Sequence, residues 1–519
     1  MALVTISFSD LQGFVRMQRE NLDGSLAAIG VPLEKFEGDE VCVEITPNRP
    51  DLLSVEGLGR ALASFSGRAP PSYAVKPSGI KATIDPSVRD IRPFVGFALV
   101  RNVCVTDALV KSMMQLQEKL HDTMGRKRKK VAIGLHDAGK VSPPFRYVAL
   151  PQDALSFVPL DSNEKMTFAQ ILQKHPKGKE FAHLVGALCP VILDSQQNVL
   201  SFPPIINGEL TRVDERTKNI LIDATGSSAG AVCSAISIIA AALADRGGQV
   251  FSVQIGAKEY PVLQSSKRRL PLAAAKKLLG IELSKKDAQK MLLKLGHSMQ
   301  GDFVLVPAFR ADIMDDVDLI EDIAIAYGYN NFEPSMPSFA SVGKSVPSSP
   351  LHELLVGLGF LEANSWLLSN KQLLSKANIS AQDAPKISNP LTSDFTLVRP
   401  SILQNALAAL SESKNEKLPQ KLYELGTVAN PSQKEHLCAA ITHPKASFSE
   451  IKSIFECIKR ELMPELSTEP AEYAPFIKGR CAAILKDGKT IGYFGEISPS
   501  VLESFSLEQP VCALEMEAS

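Results

Sequence analysis

A chain of 519 residues is too long for a single hydrophobic core and points to three or four domains. With 56 Lys and Arg against 57 Asp and Glu, the net charge of -1 excludes a global field that draws the chain to nucleic acid; RNA contact must come from local patches or a partner. The eight cysteines form no CxxC pair, which argues against zinc and for reduced core residues of a cytoplasmic protein. The N-terminus MALVTISFSD lacks the basic region and cleavage signal of a secretory leader, and the longest apolar run, Ala231 to Ala244, is too short to cross a bilayer.

The first unit, residues 1–78, is predicted as α+β. It opens with a strand over Leu3–Phe8, a helix near Leu11–Glu20 and an alternating strand over Glu40–Ile45. In TPNRPDLLSVEGLGRALASFSG, Pro47, Asn48 and Pro50 force a turn, and Asp51 is placed to cap a helix running to about Phe65. The stretch Pro70–Pro77 reads as a linker. The second unit, 85–260, alternates strands near Phe94–Val100, Val131–Leu135, Val191–Asp194 and Leu221–Ala224 with helices near Ala108–Met124 and Ala229–Asp245, a mixed α/β domain. The basic run Arg126–Lys130 closes the first helix. Such runs are usually solvated, but this one is also placed to meet phosphates. His136 reads as a structural histidine with a site role as the alternative. Further on, Pro203-Pro204 and Asn207-Gly208 mark two turns before a buried strand that carries the isolated Asp223. A carboxylate there is costly without a partner, and Arg212 or Thr225 is the expected one.

The third unit, 262–335, is predicted to hold helices over Leu272–Leu279 and Lys285–Leu295. A hairpin follows, His297–Met299 with Phe303–Val306, turned at Gly301-Asp302. This is a winged-helix-like order, but Lys267, Arg268 and Arg269 are too few cations for reading DNA. An acidic helix comes next. Ile313, Val317, Ile320, Ala324 and Tyr327 recur at helical spacing, Asp312 is placed as its cap, and Gly328 ends it. Its other face carries Asp315, Asp318 and Asp322 with Glu321 beside them. Spacing alone favours a solvated face over a hard divalent ion held by oxygen ligands. Pro334, Pro337 and Pro347–Pro350 suggest a linker into the fourth unit, 345–519. There an antiparallel sheet with flanking helices is expected. Its helices lie near Leu351–Gly357, Ile402–Ser413 and Phe448–Leu462, and its strands near Ser365–Leu368, Leu422–Val428, Leu437–Thr442 and Cys481–Leu485. Asp487-Gly488 turns the last of these into Thr490–Gly495. Glu424 and Arg399 are isolated and read as structural. No Arg-x-Glu strand and no late Gly-rich segment ending in Arg is present.

The strings TPNRPD, SFPPIIN, IEDIAIAYGYNNF and GEISPSVLE together resemble the beta subunit of phenylalanyl-tRNA synthetase, archaeal/eukaryotic type, over nearly the whole chain. The resemblance implies a tRNA-editing domain, a DNA-binding-type fold for the third unit and a class II synthetase fold without catalytic motifs for the fourth. It implies an (alpha-beta)2 heterotetramer with a catalytic alpha subunit that binds most of the ATP, the phenylalanine tRNA as partner, and no membrane. The chain is short for the eukaryotic form, which points to an archaeal source.

The resemblance also carries site residues. Asp223, Thr225 and Arg212, with Asn207 and Thr211 nearby, match an editing pocket that hydrolyses Tyr wrongly attached to the phenylalanine tRNA; the bacterial pattern has Glu where this chain has Asp223. Asp312, Asp318, Glu321 and Asp322 match a Mg²⁺ site near the partner subunit. Such editing has a physical reason. An apolar site for Phe rejects an analogue that only adds a hydroxyl by about a hundredfold, so a second site that binds the hydroxyl is needed. Asp223 suits that task, and with no Ser–His–Asp set the expected hydrolytic agent is a positioned water helped by the RNA's terminal groups. The rival expectations are a free-standing deacylase of mischarged tRNA and a winged-helix DNA-binding regulator.

Overall fold

The computed structural model describes residues 2–336, 343–344 and 349–518, and the chain divides into two compact units, Met1–Met336 and Pro337–Ser519. The expected linker prolines Pro337 and Pro347 lie outside the described residues. Pro350 instead opens the helix Pro350–Gly357, where its missing N–H costs nothing.

The first unit begins with a three-stranded antiparallel sheet in the order Ala2–Ser7, Glu40–Ile45, Leu33–Glu37. The helix expected over Leu11–Glu20 is absent. Ser7 supplies an N-cap earlier, by accepting from the Asp10 amide, and the helix Phe8–Gln12 stops at Gly13. Leu22–Ala28 is a separate helix. Asp51 is not a cap either. Ser54 caps Val55–Phe65, while Asp51 is buried and gripped by Arg49 through two hydrogen bonds of 2.9 Å. The helix's first turn sits directly on this corner: a Cβ on Gly57 would lie 1.8 Å from the Asp51 carbonyl oxygen.

The stretch read as a linker is partly a strand, Val75–Ile84. Pro77 is tolerated because the register with Gln249–Ile255 breaks immediately after it. This strand lies within a ten-stranded mixed sheet, ordered Ile206–Asn207, Val199–Phe202, Leu188–Leu193, Phe145–Pro151, Val75–Ile84, Gln249–Ile255, Phe94–Arg101, Ile220–Gly226, Val131–Asp137; Lys258–Tyr260 pairs outside this path. The sheet curls until its two outer strands meet, and the Asn207 side chain donates from Nδ2 to Leu135 O at 3.3 Å. The helix Ala229–Asp245 is buried along most of its length, as its uniformly apolar sequence requires. Buried ion pairs tie it to the N-terminal layer. Arg60 pairs with Asp245, Tyr73 donates to Asp245 at 2.6 Å, and Arg246 holds Asp10 at 2.6 Å and Glu56 at 2.8 Å.

Residues 266–331 form the last part of this unit. The expected helices and hairpin are present, and Ser266–Arg269 adds a third strand, so the basic cluster lies on a sheet edge. The second unit carries a seven-stranded sheet ordered Leu361–Glu362, Gln420–Ala429, Gln433–Thr442, Val511–Glu517, Lys489–Ile497, Phe476–Lys486, Ser467–Pro470, parallel only at its first pair. Its central strand, Val511–Glu517, escaped the sequence reading. The strand expected over Ser365–Leu368 shrinks to Leu368–Ser369, because Ser365 turns inward to donate to Glu424 at 2.6 Å. Arg399 completes that buried cluster, 2.7 Å from Glu424, which agrees with a structural role. Asp487 and Gly488 take φ of 51° and 73°, as a tight primed hairpin turn needs.

All eight cysteines are free. Cys189, Cys438, Cys481 and Cys512 are buried, but Cys104 is exposed, contrary to the core expectation. Burial pushes the Cys189 and Cys512 thiols up to about 12, away from the thiolate form. No helix among the described residues is long and apolar enough to cross a membrane.

Candidate functional site

The curl of the large sheet encloses a cavity of about 310 Å³. Leu109, Val110 and Met113 from the helix Asp107–Asp122 make its apolar wall. Asn207, Thr211, Arg212 and Asp223 supply polar atoms to the lining. Asp223 projects from Ile220–Gly226, paired on one side with Phe97 and on the other with Gly134. Its partner is neither Arg212 nor Thr225. His136, fully buried on the neighbouring strand, meets Asp223 Oδ1 through Nε2 at 2.6 Å, and its Nδ1 meets Thr211 Oγ1 at 2.7 Å. This chain of three fixes the carboxylate and leaves Asp223 Oδ2 for a ligand. Gly134 makes the arrangement possible. A Cβ there would stand 2.2 Å from Asp223 Oδ1 and 2.8 Å from His136 Nε2.

The other expected members are placed differently. Arg212 is half-exposed at the rim, bound to Glu209 and Asp161 at 2.7 and 2.6 Å. Thr225 is buried two residues from Asp223 but does not line the cavity; its Oγ1 accepts from Arg92 Nε at 2.9 Å and its carbonyl from Arg92 at 2.7 Å. Burial lowers Arg92 to about 10. Thr225 therefore anchors the strand that presents Asp223. Asn207 and Thr211 do come together with Asp223. His136 is the member that spacing could not find, since it sits 87 positions from its carboxylate.

The acidic helix spans Asp316–Tyr327. Its cap is Asp315, not Asp312, and Asp318 completes a capping box by accepting from the Asp315 amide at 2.7 Å. The buried face is Leu319, Ile320, Ile323 and Ala324, while Val317, expected in the stripe, is exposed. The face is rotated because Asp322 is buried with it. Asp322 accepts from His297 Nε2 at 2.6 Å and from Arg310 at 2.8 Å, and Arg310 also binds Asp312 at 2.7 Å. The Arg310 guanidinium pulls the Asp322 carboxyl down to about 2 against the cost of its burial.

A hard dication needs uncommitted carboxylate oxygens. Asp312 and Asp322 do not offer them, because Arg310 already stands between the two. Asp318 gives Oδ2 to the amides of Met314 and Asp315, and Glu321 is exposed. A cage of all four carboxylates therefore does not fit this arrangement, and among the described residues no group of three acidic, His or Cys side chains is disposed to hold a metal.

His297 makes this corner pH-sensitive. It is fully buried, and its Nδ1 has no hydrogen-bond partner, so a second ring proton would be stranded. Burial lowers its pKa below the ordinary 6.5, and the same holds for His121. The unfolded chain then binds more protons, so stability falls as pH drops below about 6.5. Thermal unfolding followed from about pH 7 to pH 5 should show a declining Tm, with a shallower decline in His297→Gln. An unchanged slope in that variant would contradict the assignment.

Two family models match the chain: a tRNA synthetase B5 domain over residues 268–329 and a phenylalanyl tRNA synthetase beta chain CLM domain over 344–518. Among curated relatives, the phenylalanine–tRNA ligase beta subunit of Methanosarcina acetivorans is 39% identical over 538 residues, covering 100% of this chain and 98% of that protein. That of Archaeoglobus fulgidus is 39% identical over 540 residues with the same coverage. A crystal structure of an N-terminal fragment of the phenylalanyl-tRNA synthetase beta subunit from Pyrococcus horikoshii aligns with a TM-score of 0.60 at 35% identity, over 63% of this chain and all of that one.

Proposed function

The chain belongs to the phenylalanine–tRNA ligase beta-subunit family, and from that premise we propose that its cavity is a proofreading site for Tyr attached to the phenylalanine tRNA. The observation that carries this reading is the Thr211–His136–Asp223 chain at the edge of an apolar cavity. A Tyr ring fits the wall of Leu109, Val110 and Met113. Its phenol O–H donates to Asp223 Oδ2, which a Phe ring cannot do. Binding a charged acceptor that only the wrong substrate satisfies selects in the opposite sense to the synthetic site. Water attacks the ester carbonyl, the ester C–O bond breaks, and tyrosine leaves as its carboxylate with the ribose hydroxyl restored. Asn207 ties the outer strands together, Thr211 orients His136, and the neighbouring ribose hydroxyl takes part in moving the proton. Loss of Tyr-tRNA hydrolysis by an Asp223→Ala complex that still charges Phe is the expected outcome.

The remaining assignments follow the same premise. The second unit serves as a class II synthetase-like scaffold for an alpha subunit, which binds ATP and performs adenylate chemistry, in an (alpha-beta)2 complex holding the phenylalanine tRNA. The winged-helix-like part of the first unit is structural. Magnesium would be held by Asp318 and Glu321 with most of its waters, beside the alpha subunit, while Asp312 and Asp322 brace the corner through Arg310. Mg²⁺ should then strengthen alpha–beta association measured by sedimentation, and the paired variant Asp318→Ala with Glu321→Ala should remove that dependence. Association indifferent to both would end this assignment.

A further inference from the structure

The basic run after the helix Asp107–Asp122 is not a simple solvated loop. Arg126, Lys127 and Arg128 follow one another at φ of 50°, 52° and 64°. A left-handed run of L-residues is costly, and it persists only where its surroundings dictate it. Two buried guanidinium groups do so here. Arg128 turns inward and is buried. It donates to Ile205 O and to Glu118 Oε1, both at 2.8 Å, and lies 4.5 Å over the Phe181 ring. Arg92 reaches the Lys129 carbonyl at 3.3 Å from the other side. With Arg128 committed to the interior, Arg126, Lys127 and Lys129 are all exposed. Glu118, Arg128 and Lys177 line the proofreading cavity, and Lys177 shares the Phe181 ring at 5.7 Å, so the exposed cations stand beside that cavity. On a chain of net charge -1, this concentration of positive charge is local and fixed in shape.

We propose that the left-handed turn is a phosphate-docking surface, which seats the backbone of an RNA strand whose 3′ end enters the neighbouring cavity. The proposal rests on the proofreading reading of that cavity. A solvated charge run has no use for a strained backbone locked by a buried arginine. A surface that must present cations at set positions toward successive phosphates does. The turn then acts only when the strand's end is in this cavity, and it plays no part in synthesis.

The test uses the assembled alpha–beta complex carrying Arg126→Gly, Lys127→Gly and Lys129→Ala, with Arg128 kept. Glycine accepts the left-handed backbone without strain, so the charges go and the turn stays. The KM for Tyr-tRNA hydrolysis should rise about tenfold, and the slope of log KM against log salt should flatten by about 0.7 for each phosphate that is no longer neutralised. The KM for tRNA in Phe charging should not move. An unchanged hydrolysis KM and slope would overturn the proposal, and so would an equal rise in both reactions. Asp223→Ala in parallel separates the two levels. If it abolishes hydrolysis while the triple variant behaves as wild type, only the docking surface is wrong. If it leaves hydrolysis intact, the cavity reading fails and the docking proposal falls with it.

Discussion

Asp223→Ala should cut Tyr-tRNA hydrolysis by roughly 10- to 150-fold, the equivalent of one hydrogen bond to a charged group at about 1.5–3 kcal/mol. The carboxylate is the acceptor that distinguishes Tyr from Phe, and its replacement also strands His136, whose Nε2 lies 2.6 Å away. Phe charging should be unaffected. Because discrimination in an apolar synthetic site is only about a hundredfold, Tyr-tRNA should accumulate in charging reactions supplied with Tyr and ATP. Asp223→Asn retains the volume and separates shape from charge. An amide can still accept from the phenol, so its loss should be smaller. Hydrolysis within twofold of wild type in Asp223→Ala would remove this residue from the site.

Arg310→Ala should be among the most destabilising single changes in the first unit. Arg310 is buried and forms ion pairs of 2.7 Å with Asp312 and 2.8 Å with Asp322. Removing it leaves a carboxylate 3% exposed without its cation, and breaking such a pair costs about 3–5 kcal/mol. For a unit spanning Met1–Met336 that corresponds to a fall in Tm of roughly 4–7 °C by calorimetry. Arg310→Lys should lie between, because a point charge cannot bind two carboxylates in a planar fork. The corner reaches further: the pKa of the buried Asp51 in the TPNRPD turn is held down, against its burial, by Arg49 first and by Arg310 as well. A loss of Tm under about 2 °C would mean that the carboxylates are satisfied by other means.

These two residues also mark the limits of sequence reading. The helix Ala229–Asp245 and the Asp487-Gly488 hairpin were legible because apolar runs and turn chemistry act over a few residues. Asp223 stood out as a carboxylate inside an apolar strand. Its partner did not, because Ile220–Gly226 and Val131–Asp137 become neighbours only when the sheet forms. The acidic helix misled in a related way. Its carboxylate spacing was read correctly, but which face turns inward is decided by His297 and Arg310, outside the helix. Val511–Glu517 went unseen as the centre of the second sheet because its partners, Gln433–Thr442 and Lys489–Ile497, are chosen by long-range pairing. Asn207 and Thr211 were expected in the same site as Asp223, and the structure places all three on one cavity. Thr225, expected there too, does not line that cavity, and its side chain is bound to Arg92.

The most direct test of the central claim is deacylation of matched substrates by the wild-type alpha–beta complex. Purified complex should hydrolyse Tyr attached to the phenylalanine tRNA and spare Phe attached to the same tRNA, with the difference abolished in Asp223→Ala. Equal rates on the two substrates, or hydrolysis of neither, would contradict the account.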